Sequence, residues 1–167
     1  MNTRFASIPG NDGFTLLEVM IALVIFSVGL LGLAGLQSRS LQSNTVAQFR
    51  TLAVIEAYDM ADRIRANPVG VADGRYDNLD NPAPTAGSDC LTVACTPQQI
   101  AELDYFEWIT QLQAQLPSGH GTVTGNGAGS QFTVTVMWDE ERTGAIGTGC
   151  SGNPNVDLKC YTLVFQP

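Results

Sequence analysis

From Val19 to Leu36 no side chain is charged, and Ser27 alone carries a polar group. As an α-helix this run would cover about 27 Å at roughly 1.5 Å per residue, close to a hydrocarbon core of roughly 30 Å. With Phe14 to Leu17 added, it is long enough to span a bilayer with some tilt. Past the membrane length the pattern changes without breaking. Val46, Phe49, Ala53, Ala57, Met60 and Ile64 recur at spacings of three or four, one stripe of an amphipathic helix. Asp59 and Arg63 stand four apart with the acid on the N-terminal side, the order that supports an exposed helix by about 0.2–0.5 kcal/mol. No proline occurs between Gly10 and Pro68, and the residue before a proline is pushed out of the helical region, so Asn67-Pro68 is the stop. The reading is one helix from about Phe14 to about Ala66, membrane-spanning over 14–37 and amphipathic over 38–66.

Beyond Asn67 the periodicity lapses. Residues 67–96 hold Pro68, Pro82 and Pro84 and aspartates at 73, 77, 80 and 89, and read as a solvated connecting loop. Those aspartates lack the EF-hand order with its closing glutamate. Thr96-Pro97-Gln98-Gln99 then reads as a helix start: Thr96 can cap, Pro97 suits the first position and Gln99 can complete a capping box. Ile100, Leu103, Phe106, Ile109, Leu112 and Leu116 supply an apolar face with Trp108 nearby, and Pro117-Ser118-Gly119 ends the helix. Thr122 to Thr124 is a short strand, and the glycines at 125, 127 and 129 turn the chain. Phe132, Val134, Val136 and Trp138 alternate with Thr133, Thr135 and Met137, the period of a half-buried strand. A glycine-rich loop leads from Asp139 to Cys150, and Cys160 to Phe165 closes the chain as a strand with Tyr161, Leu163 and Phe165 on one face. A long helix laid against an antiparallel sheet of three or four strands is an α+β fold, with 67–167 as its globular head.

One carboxylate, Glu18, interrupts the apolar start of the long helix. A lone charge at bilayer depth costs about 2.5–3.5 kcal/mol on insertion scales, and the helix macrodipole offsets about 0.3–1 kcal/mol of that near an N-terminus. The remainder calls for a partner, unless Glu18 sits at headgroup level and is solvated. Residues 1–13 hold Arg4, Gly10, Asp12 and Gly13 but no apolar core, so the order is the reverse of a conventional secretory signal. A cut after Gly13 would leave the apolar helix as the mature N-terminus, with a free amine on Phe14 and a carboxylate one turn later. Gly13-Phe14-Thr15-Leu16-Leu17-Glu18 resembles the class III leader and cleavage motif of type IV pilins and type II secretion pseudopilins. The resemblance implies that an inner-membrane prepilin peptidase removes 1–13 by cutting between Gly13 and Phe14 and N-methylates Phe14. It also implies that Glu18 neutralises the N-terminal amine of a neighbouring subunit as the protein leaves the bilayer for a fibre. Major pilins commonly carry a proline in the anchor. This chain has Gly29, Gly32 and Gly35 instead, which permit close helix approach and soften the helix.

Length and charge narrow the picture further. A chain of 167 residues is about one domain beyond a membrane helix. The net charge of −8 is unchanged when Arg4 and Asp12 leave with the leader, and it disfavours a nonspecific grip on nucleic-acid phosphates. Cys90, Cys95, Cys150 and Cys160 are separated by four, 54 and nine residues. Zinc is the competing reading, but the nine-residue gap is wide for a ligand pair and His120 is the single histidine. Disulfides in an oxidising periplasm suit the even set. Three pairings are open; Cys90–Cys95 with Cys150–Cys160 is preferred because both close short loops.

No G-x-S-x-G, H-E-x-x-H or phosphate loop is present, which leaves no catalytic residue, cofactor or metal to assign. His120, between two glycines, reads as an exposed turn residue without a carboxylate partner. Glu102, Asp104 and Glu107 favour the N-terminal half of their helix electrostatically, and Trp108 and Trp138 read as core.

Three further segments extend the resemblance: Glu18 to Leu23, Gly29 to Gln37, and above all Ala57-Tyr58-Asp59-Met60-Ala61-Asp62-Arg63-Ile64-Arg65-Ala66-Asn67. With Trp108, the Leu116-Pro117 turn and Phe132 to Asp139, they resemble the PilV-type minor pilins. That likeness implies a low-abundance subunit that helps prime pilus assembly and sits in a tip complex. Implied partners are other minor pilins, the major pilin, a tip-associated adhesin, the prepilin peptidase and the inner-membrane assembly platform. The implied location is the inner membrane, N-terminus cytoplasmic and head periplasmic, and then the fibre tip. The competing readings are a minor pseudopilin of type II secretion, or an anchored periplasmic binding protein that never joins a fibre.

Overall fold

The computed structural model describes residues 13–81 and 84–167; residues 1–12, where the leader is expected, and residues 82–83, Pro82 among them, lie outside them. The chain runs α1 (Leu16–Ala66), α2 (Pro68–Ala72), β1 (Asn78–Leu79), α3 (Pro97–Gln115), β2 (His120–Thr124), β3 (Phe132–Trp138) and β4 (Lys159–Phe165). Two compact units divide within α1: one reaches Asn44, the other is Thr45–Pro167.

In the first unit α1 is long and apolar enough to cross a membrane. The Ser27 hydroxyl donates to Leu23 O at 2.6 Å, so the polar atom of the span is satisfied by its own helix. The helix runs unbroken through Gly29, Gly32 and Gly35. A Cβ at any of the three would meet nothing within 4 Å, so no packing inside the chain demands these glycines.

The second unit is α+β, as the alternating and helical periods predict. Its sheet has the order β1-β2-β3-β4, antiparallel throughout. Phe49, Ala53, Ala57, Met60 and Ile64 of the predicted α1 stripe are buried and Val46 is half-buried. Phe132, Val134, Val136 and Trp138 of β3 are buried, as the alternation requires. Met137, on the other face, is buried as well, against Ala145 and Leu158 of the following loop.

Two expectations are corrected here. The inward face of α3 is Ala101, Tyr105, Trp108, Ile109 and Leu112, whereas Ile100, Leu103 and Phe106 are half-buried. The helix is turned because Tyr105 and Trp108, its two aromatics with polar tips, find buried acceptors. Trp108 Nε1 donates to Glu56 O at 2.9 Å and the Tyr105 hydroxyl to Gly121 O at 3.1 Å. Gly121 makes room for this: a Cβ there would overlap the Trp108 ring and Leu112.

The second correction concerns 67–96, which is not all loop. Asn67 ends α1 and caps α2, accepting from Gly70 N at 3.0 Å while its amide donates to Pro97 O at 2.8 Å. A five-residue helix and a two-residue strand are too short to show a period. At α3 the capping box is present: Gln99 N donates to Thr96 Oγ1 at 3.3 Å and Thr96 N to Gln99 Oε1 at 2.9 Å.

Candidate functional site

The residues singled out by the motif lie at the start of α1. Thr15 precedes the helix and closes its first turn: its carbonyl accepts from Glu18 N at 3.1 Å and Val19 N at 3.3 Å, and its hydroxyl accepts from Glu18 N at 3.3 Å. Thr15 and Glu18 have the spacing of a capping box. The reciprocal bond from the Thr15 amide to the Glu18 carboxylate is absent, and that carboxylate accepts no hydrogen bond among the described residues. Phe14 is 83% exposed, and Glu18 stands exposed about one turn away. Phe14, Glu18, Ala22 and Phe26 are spaced by four and share one stripe with Val19 and Leu23. The geometry is thus an unengaged carboxylate on an apolar helix, one turn from the peptide bond that follows Gly13. Its chemistry is that of an ion-pair acceptor.

The head supplies polar clusters of a different kind. Arg63 Nε donates to Asp59 Oδ2 at 2.8 Å, and Nη1 reaches Glu107 Oε2 at 2.8 Å and Asp104 Oδ1 at 3.4 Å. Burial opposes the Arg63 charge, but the bonds to Glu107 and Asp59 outweigh it and hold the guanidinium protonated. The Tyr76 hydroxyl donates to Asp104 Oδ2 at 2.6 Å. Burial pushes the carboxyl of Asp104 up, against the pull of Tyr76 and Arg63. The three acids of α3 are therefore not one electrostatic set: Asp104 and Glu107 clasp α1, while Glu102 accepts from Gln98 at 2.9 Å within the helix. Arg50 makes a two-pronged pair with Glu140, 2.8 and 3.0 Å, which holds that carboxyl below its ordinary range.

The reading of His120 is overturned. It begins β2, is 8% exposed, and its Nε2 lies 3.2 Å from Asp80 Oδ1. Pairing of β1 with β2 brings the carboxylate to it from 40 residues away, a distance in sequence over which no local motif reports. The four cysteines form Cys90–Cys95 and Cys150–Cys160, the two short loops. Among the described residues, no group of three or more His, Cys, Asp or Glu is placed to hold a metal ion. Among the described residues, two buried side-chain polar atoms lack a hydrogen bond, Glu56 Oε2 and Trp138 Nε1; hydrophobic patterning placed both in helix or strand without flagging either.

Two family models match the chain. One, described as Type IV pilin Tt1218, matches residues 35–106. The other, the Prokaryotic N-terminal methylation motif, matches residues 9–34 and so takes in Gly13, Phe14 and Glu18. No curated protein and no solved structure matches.

Proposed function

We propose, from the premise that this chain is a type IV pilin-like subunit carrying an N-terminal methylation motif, that it is a minor pilin of the PilV type. The premise itself implies processing by a prepilin peptidase, assembly with other pilins and a structural rather than enzymatic role. The motif and the apolar helix also fit membrane anchoring followed by incorporation into a pilus. The finer reading rests on the segments of Tyr58 to Asn67 and Phe132 to Asp139 that resemble PilV-type proteins. In it, residues 1–13 are removed, 14–37 is the membrane and assembly helix, 38–66 continues it, and 67–167 is a periplasmic head. The subunit helps prime assembly from the inner-membrane platform and stays at the tip with other minor pilins, above the major pilin and next to an adhesin.

Electrostatics supplies the mechanism. Cleavage after Gly13 creates a cation on Phe14 at the end of an apolar helix that already carries the Glu18 anion. Each charge alone is costly in a hydrocarbon medium, on the order of 2.5–3.5 kcal/mol. A neighbouring subunit that offers its amine to this carboxylate relieves both. The glycine-bearing face of α1, open around Gly29, Gly32 and Gly35, lets partner helices come close enough before extraction. The observation that carries the reading is the unengaged Glu18 carboxylate at the head of the uncharged run Val19 to Leu36 of α1.

The test is Glu18→Ala. The variant is expected to be cleaved between Gly13 and Phe14 as before, yet to be missing from sheared pili; mass analysis of the wild-type fraction should begin at methylated Phe14. Incorporation of the variant at the wild-type level, or a mature wild-type chain that begins at Met1, overturns the reading.

A further inference from the structure

We infer that a recess between α1 and β4 binds an acidic side chain carried by an extended segment of a partner protein, which adds as a strand to the free edge of β4. The recess has a volume of about 220 Å³ and is lined by Arg50 and Val54 of α1, Trp138 of β3, and Lys159, Cys160 and Tyr161 of β4. None of these residues belongs to the N-terminal site, and the inference does not depend on the assembly reading.

The starting observation is Trp138. Its side chain is 2% exposed, and its indole N–H has no hydrogen-bond partner. Buried donors nearly always find acceptors, so an orphan beside a cavity points to an acceptor that enters from outside. The other groups around it are also donors. Lys159, the only lysine of the chain, is the cross-strand partner of Trp138 and makes no salt bridge among the described residues. Arg50 commits Nε and Nη2 to Glu140, which leaves Nη1 free of that pair. Only the Tyr161 hydroxyl can also accept. A ligand that satisfies this set is rich in acceptors.

Charge favours a carboxylate over a neutral carbonyl. The charged side chains that line the recess itself are both cations, Arg50 and Lys159, and of these Arg50 is already paired with Glu140. Lys159 also borders a smaller recess with Asp139, Glu140, Glu141 and Asp157. Two of those acids are already engaged by backbone: Asp139 accepts from Thr143 N and Gly144 N, and Asp157 from Gly149 N and Ser151 N.

Two features select a peptide as the carrier. At about 220 Å³ the recess is smaller than the roughly 300–1,000 Å³ of small-molecule pockets, and suits one side chain. Lys159, Cys160 and Tyr161 are consecutive, so the recess meets the backbone of β4 as well as its helix-facing side chains. That backbone is a sheet edge: β4 pairs with β3 through all seven residues, and its other side has no strand among the described residues. An unpaired edge is a template for main-chain pairing, with alternate side chains of the added strand left to fill pockets.

The test uses the full chain in detergent micelles, labelled with ¹⁵N, because Trp108 and Trp138 give two indole N–H resonances assignable by Trp138→Phe. The probe is a seven-residue peptide of alternating threonine and valine with a central glutamate. It should shift the Trp138 indole resonance and leave that of Trp108 in place, which also reports an intact head. Affinity should fall at least tenfold for the glutamine counterpart, for a backbone N-methylated peptide and for Lys159→Ala, a change at an exposed position. The inference is overturned if the glutamate peptide causes no shift or if any of the three controls binds equally well. Acetate or glucuronate that binds as tightly as the peptide overturns it too, since the strand then contributes nothing.

Discussion

Glu56 is the residue whose position most exceeds what its type suggests. It lies on α1, is 4% exposed, and accepts from Gln115 Nε2 at 3.0 Å through Oε1, while Oε2 has no partner. Burial, and then the negative charge of Asp59, push its carboxyl above the ordinary range. The native state therefore holds the Glu56 proton to a higher pH than the unfolded chain does. Between the ordinary carboxyl value and the raised one, unfolding releases a proton, so this site's contribution to stability falls as pH rises. Glu56→Gln keeps an acceptor for Gln115 and removes the charge. It should raise the stability of the head at pH 7 by on the order of 1 kcal/mol, with the advantage shrinking as pH drops below the carboxyl range. Thermal unfolding of the full-length variant and parent, followed at several pH values, checks the sign; a gain that grows on acidification contradicts it.

At the scale of elements, the seam between α1 and α3 is organised by one guanidinium. Periodicity showed Arg63 as the partner of Asp59 alone; the fold adds Asp104 and Glu107 from 41 and 44 residues away. The Arg63 side chain is only 21% exposed, so solvent does not compensate fully for its loss, although Asp59 and Glu107 at 41% and 46% are substantially screened. Arg63→Ala leaves these acids, and the carboxyl of Asp104 beside Tyr76, without their cation. The expected cost is about 1–3 kcal/mol, below that of a fully buried ion pair. Arg63→Lys should recover only part of it, because a single ammonium cannot reach three carboxylates in the fork geometry of arginine. Denaturant midpoints for the three proteins decide the point.

For the whole molecule, the two disulfides tie parts of the head that have few core side chains of their own. The Cys90–Cys95 loop holds Leu91 at 96% exposure, and the Cys150–Cys160 loop holds Val156 at 56%. In the chain-entropy account, closing loops of five and ten residues stabilises the fold by about 2 and about 3 kcal/mol. The paired substitution Cys150→Ser with Cys160→Ser should therefore lower the melting temperature of the head more than Cys90→Ser with Cys95→Ser. Cys160 adds to this difference, since it packs beside Met137, Ala145 and Leu158 at the start of β4. Equal losses, or a larger loss in the first loop, contradict the prediction.

What the sequence determined by itself is what depends on near neighbours along the chain. The apolar length from Val19 to Leu36, the Glu18 anomaly and the stop at Asn67-Pro68 follow from the order of residues along one segment, and the Thr96 capping box and the alternation of β3 from spacings of three and two residues. Those spacings are fixed by helix and strand geometry before any tertiary contact forms. The tertiary structure decided the rotation of α3, the pairing of His120 with Asp80, the threefold grasp of Arg63, the bond from Arg50 to Glu140 across 90 residues, and the unmatched indole of Trp138. Each of these depends on where α1, α3 and the sheet meet. That meeting is set by summed packing of apolar side chains, which is non-directional. Its outcome cannot be read from one segment's pattern, because a half-turn of a helix changes every polar partner while leaving the periodicity intact.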